Sequence, residues 1–96
     1  MREDVIQKGF SKARKVFDKL NASRDMEYIK DTAKITKRLS LQFECIRADV
    51  GTEDYIGTPV SFEIYAVKDG KEIDCCTLYV TADVNAEIMY LLNCYV

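Results

Sequence analysis

The chain has 96 residues, of which 48% are apolar and 31% charged, with one Pro and four Gly; this is a globular composition, and one domain of this length builds its core without covalent staples. The formal net charge of −2 conceals a division: residues 1–38 carry eleven Lys or Arg against six Asp or Glu, a net of +5, whereas residues 39–96 carry three against ten, a net of −7. No apolar run approaches the ~20 residues of a membrane span, and Met1-Arg2-Glu3-Asp4 leads directly into an amphipathic pattern without a secretory stretch, so a cytoplasmic protein with no membrane role is expected.

Residues 3–20 read as a helix. Ile6, Phe10, Ala13, Phe17 and Leu20 recur at four-three spacing and form one apolar stripe. Asn21-Ala22-Ser23 interrupts the register, and the glycosylation pattern it matches is read as a local helix break. A second helix is expected over 24–37, with Met26, Ile29, Ala33 and Thr36 as its stripe and Ser23 as its N-cap; one long helix through 3–37 is the alternative.

From Leu39 the apolar period changes to two. Leu39, Leu41, Phe43 and Cys45 alternate with Ser40, Gln42 and Glu44, which predicts a half-buried strand. Residues 49–58 predict a loop rich in Gly and acids. Pro59 opens the next strand, with Val60, Phe62 and Ile64 on one side and Ser61, Glu63 and Tyr65 on the other. Asp69-Gly70 predicts a hairpin. A Gly70 bulge there pairs Phe62 with Cys76 and is preferred, because it keeps apolar residues on one face; a two-residue turn pairs Phe62 with Thr77. A third strand runs over about 72–80. Asp83 caps a last helix whose stripe is Val84, Ile88, Leu91 or Leu92, and Tyr95. The expected fold is a single α+β domain over 1–96, in which one or two N-terminal helices and a C-terminal helix pack on a three-stranded antiparallel meander.

The chemistry is sparse. The chain has no His, which excludes Ser–His and Cys–His nucleophilic pairs. Cys45, Cys75, Cys76 and Cys94 have neither metal-site nor disulfide-framework spacing. No glycine-rich phosphate loop is present. The expectation is therefore no enzyme, no cofactor and no metal.

Two charged surfaces remain. Lys8, Lys12, Arg14, Lys15 and Lys19 recur along the first helix and suit phosphates or an acidic protein. In the acidic part, Tyr55 and Ile56 stand beside Glu53 and Asp54 where the alternating core pattern does not need them. With Glu63, Tyr65 and Asp74 they have the make-up of an interface anchor ringed by acids.

The expected helix–three strands–helix order of 24–96 resembles the double-stranded-RNA-binding domain in topology. That family carries a lysine cluster at the start of its last helix; here the stretch is Thr81-Ala82-Asp83-Val84-Asn85-Ala86-Glu87, which is acidic, so the resemblance does not extend to RNA binding. The functional expectation is a small non-catalytic protein that docks an acidic surface on a partner with a basic one. Its size and charge division associate it with mobile-element or phage inhibitors, anti-CRISPR proteins included. A nucleic-acid accessory protein acting through the first helix is the alternative, as is a structural or chaperone-like homodimer.

Overall fold

The computed structural model describes residues 1–22, 28–47, 59–79 and 82–96. The four-three stripe forms helix α1, Arg2–Ala22. Ile6, Ala13 and Leu20 are buried, and Phe10 and Phe17 are half-buried beside them. Gly9 is buried as well; a Cβ there would stand 2.8 Å from Ile35 Cγ2, so the missing side chain is what lets the helix lie this close. The helix ends at Ala22, inside the Asn-Ala-Ser interruption.

The expected second helix does not form. Tyr28–Lys34 is instead strand β1, an edge of a four-stranded antiparallel sheet, so the meander has four strands, not three. Ile29 and Ala33 are four apart, a spacing that serves a helix stripe and one face of a strand equally. The period-two signal was broken by Asp31, which shares their face but ion-pairs with Lys19 of α1 at 3.1 Å. The strand also removes the likeness to the double-stranded-RNA-binding domain, since four strands, not three, stand between the two helices. Ser23, the expected cap, lies outside the described residues.

Strands β2 (Leu39–Arg47), β3 (Pro59–Lys68) and β4 (Lys71–Tyr79) follow the expected alternation, and the sheet order is β1-β2-β3-β4. Leu39, Leu41, Phe43, Cys45, Phe62, Ile64, Ala66 and Leu78 face the core. The β3–β4 turn has φ of 52° at Asp69 and 79° at Gly70, the two-residue type I′ pattern. Neither expected register is adopted. Val67 faces Glu72 but Ala66 faces Asp74, so Ile73 is one residue too many, and beyond it Phe62 pairs with Leu78 and Ile64 with Cys76. The bulge on β4 corrects the mismatch that the short turn would have left, restoring the apolar residues to one face.

The turns at this end of the sheet are tied together. Arg38, between β1 and β2, donates from Nε and Nη2 to the Asp69 carboxylate at 2.8 and 2.6 Å, and the Asp69 N–H donates to the Arg38 carbonyl at 2.9 Å. This bidentate pair fixes Asp69 in its left-handed conformation.

Helix α2, Val84–Tyr95, begins at Asp83, whose carboxylate accepts from the N–H groups of Asn85 and Ala86. Ile88, Leu91 and Leu92 are fully buried. The last turn of α2 contains no basic residue of its own. Arg2 reaches the carbonyls of Asn93 and Val96, and Lys68 Nζ reaches that of Tyr95 at 3.2 Å, supplying the cations this helix end favours. Helix α1 packs on β1 and β2, α2 packs on β3 and β4, and the helices pack on each other. Both therefore lie on one side of the sheet, and the core is the layer between. No helix among the described residues is long and apolar enough to cross a membrane.

Each edge strand satisfies one of its own N–H groups. The Asp31 carboxylate accepts from the Thr32 N–H, and the Asp74 carboxylate from the Cys75 N–H, both at 2.8 Å.

Candidate functional site

With both helices on one side, the other face of the sheet is left open. Strand pairing sets its side chains in rows running across all four strands. The first row is Tyr28, Ile46, Ser61, Tyr79; the second is Lys30, Glu44, Glu63, Thr77; the third is Thr32, Gln42, Tyr65, Cys75. Tyr28, Ile46 and Tyr79 are 48%, 38% and 66% exposed, so half of the six large exposed apolar side chains among the described residues stand in one row. These three side chains therefore form a local apolar concentration, unlike singly scattered exposed residues.

The second row carries the charge. Glu44 and Glu63 are directly opposite each other on neighbouring strands, and like charges so placed repel. None of the ion pairs among the described residues involves either of them. Each carboxylate instead has a phenol near it. The Tyr28 pKa is raised above the ordinary tyrosine value, first by the nearby Glu44 carboxylate, with burial and the Glu63 charge adding to it. The Tyr65 hydroxyl donates to Glu63, and this bond is the main cause of a strongly raised Tyr65 pKa. Two carboxylates thus sit side by side on the open face, that of Glu63 oriented by the Tyr65 hydroxyl.

The arrangement is unsuited to thiol chemistry. Burial raises the Cys75 pKa first, and the Glu63 charge raises it further, so the thiol stays protonated and weakly nucleophilic. Cys76 lies on the helix side, where burial and then a hydrogen bond with Glu87 push its pKa up to about 12. No group of three metal-ligating side chains is found among the described residues.

The structure separates the residues expected to form the docking site. Glu63 and Tyr65 share the open face. Asp74 is on the helix side, where its carboxylate accepts from the Tyr95 hydroxyl at 2.7 Å. Glu53, Asp54, Tyr55 and Ile56 lie outside the described residues. Tyr28 was missed because residues 24–37 read as a helix. The signal that identifies it is the alternation of Tyr28, Lys30 and Thr32 with Ile29 and Ala33, once Asp31 is accepted on the inner side.

The basic stripe of α1 is divided by its own contacts. Lys12 Nζ donates to the Lys34 carbonyl at 3.4 Å, and Lys19 pairs with Asp31. Arg14 pairs with Asp18 at 2.9 Å, reaches Asn85 and lies over the Phe17 ring. Lys8 and Lys15 remain exposed, and two separated cations are a weaker grip on phosphates than five.

Comparison with protein-family models, with curated proteins and with solved structures finds no match to this chain.

Proposed function

We propose that this protein is a non-catalytic binding module that engages a partner protein with a basic surface through the open face of its sheet. The observation that carries the reading is the composition of that face: an exposed Tyr28–Ile46–Tyr79 row beside the Glu44–Glu63 pair, which takes part in no ion pair among the described residues. Aromatic side chains provide contact area at small cost in conformational entropy, and the acids steer a basic partner and reject an acidic one. A face of this kind can fill a groove built for nucleic acid, which is the inhibitory form of the reading and the mode a mobile-element or anti-CRISPR-like inhibitor would use.

The test is affinity capture from cell extract with three baits: wild type, Tyr28→Ala with Glu63→Lys, and Lys8→Glu with Lys15→Glu. Proteins held by the wild type and by the α1 variant, but lost with the open-face variant, support the reading. Loss with the α1 variant alone overturns it and moves the site to the basic helix. Thermal melts of all three baits establish that they are folded.

A further inference from the structure

We infer that the open face takes an extended, arginine-bearing segment of its partner, with a guanidinium seated across Glu44 and Glu63. The inference rests on the proposed function and specifies the chemistry of the partner.

Size argues first. Four strands about 4.8 Å apart, by seven residues rising about 3.3 Å each, give a footprint of roughly 400–450 Å². A stable protein–protein interface uses about 800 Å² on each partner, so this face alone is too small for two rigid bodies, a second copy of this chain included. A second copy laid face to face would also bring its own Glu44 and Glu63 to this acidic surface. A single extended segment lying across the strands fits the area.

Charge and geometry then select the side chain. The two carboxylates stand on directly paired positions, where Cβ atoms are about 5 Å apart. The hydrogen bond from Tyr65 holds the Glu63 carboxylate on its side of that gap, and the Tyr28 phenol lies near Glu44. A planar guanidinium presents five donors in a fixed fork, bridges two such acceptors at once, and stacks on phenol rings. An ammonium is a compact, strongly hydrated point charge, and gains less from fixed paired acceptors with aromatic rings beside them. Lys30 faces Glu44 from β1 but is not among the ion pairs of the described residues, so this lysine does not occupy the position. Like charges directly opposite each other on paired strands repel, and a bound cation relieves that repulsion. Local conflicts of this sort are expected where a surface is built for a ligand.

The experiment uses the full chain and two synthetic peptides of equal length and charge, one with Arg and one with Lys at alternate positions. Backbone amide shifts are followed by NMR at about 0.15 M salt. The expected result is shifts confined to the outer rows of β1–β4, with the Arg peptide bound about tenfold more tightly than the Lys peptide. Glu63→Gln keeps an acceptor for Tyr65 and removes the charge. It should weaken the Arg peptide about tenfold or more while raising the melting temperature of the free protein, opposite signs that a purely structural role does not produce. Equal binding of both peptides on the open face overturns the arginine assignment and leaves the proposed function standing. Shifts on α1 or α2 instead overturn both. Absence of binding, unchanged affinity in Glu63→Gln, or a sedimentation dimer that buries this face also overturns the inference.

Discussion

Replacing Gly9 by Ala sets two opposed effects against each other at one atom. In a helix interior the change gains about 1 kcal/mol, because Ala loses less backbone entropy on folding. Here the new Cβ stands 2.8 Å from Ile35 Cγ2, 3.4 Å from Leu92 Cδ2 and 3.5 Å from Ile35 Cδ1. Ile35 has little room to yield, being 7% exposed with its N–H bonded to the Leu39 carbonyl at 3.0 Å. Leu92 is fully buried. Forcing a methyl into such a contact costs about 1–3 kcal/mol, so Gly9→Ala should destabilise by about 1 kcal/mol net. Urea denaturation resolves this as a lower midpoint at unchanged slope. The decisive measurement is the same change in an Ile35→Ala background. Ile35→Ala alone costs about 2–5 kcal/mol by leaving a cavity. A chain of this length has roughly 5–14 kcal/mol in hand, so a stabilising osmolyte in all samples keeps the Ile35→Ala background folded for the comparison. With the clashing methyl gone, Gly9→Ala should reverse sign and stabilise by about 1 kcal/mol. If Gly9→Ala stabilises both backgrounds equally, α1 does not approach Ile35 and α2 as described.

Two further outcomes follow from the ends of the elements and from the phenols. Asp83→Ala removes the acceptor for the Asn85 and Ala86 N–H groups and should cost about 1 kcal/mol in thermal or urea unfolding, while Asp83→Asn should cost much less. Tyr95 is held by Asp74, which raises its pKa to about 12. A raised phenol pKa contributes stability that is complete below about pH 10, the ordinary tyrosine value, and is lost as pH rises towards 12. The wild type should therefore lose stability across that window and Tyr95→Phe should lose less, as followed by circular dichroism together with phenolate absorbance. A Tyr95→Phe profile parallel to wild type would show that the Asp74 bond does not contribute.

The parts of the fold that local pattern decides were readable in the sequence. Leu39 to Cys45 alternate without exception, Asp69-Gly70 suits a tight turn, and Asp83 stands directly before an apolar stripe; each forms the expected element. The errors lie where one residue serves a distant partner. Asp31 belongs on the inner face of β1 only because Lys19 meets it there, and no window around residue 31 contains that information. The β3–β4 register depended on an extra residue at Ile73, which the turn chemistry does not encode. The proposed docking face was half legible. Glu63 and Tyr65 could be placed together by parity, but which side of the sheet stays open is settled by where α1 and α2 pack, and the Glu44–Glu63 pairing by a register between strands eleven residues apart.

The two edge aspartates have a consequence for how the protein behaves when crowded. A sheet grows sideways by offering unused N–H groups to another chain, and here the donors at Thr32 and Cys75 are already taken by the carboxylates beside them. The bulge at Ile73 further disturbs the β4 rim. Asp31 has its pKa lowered, first by the Thr32 N–H and then by Lys19, so its stopper persists into moderately acidic solution and fails only as pH falls through that depressed value. Four strands is thus a width that side chains on the two rims help to hold, one backbone donor on each edge being occupied from within the chain.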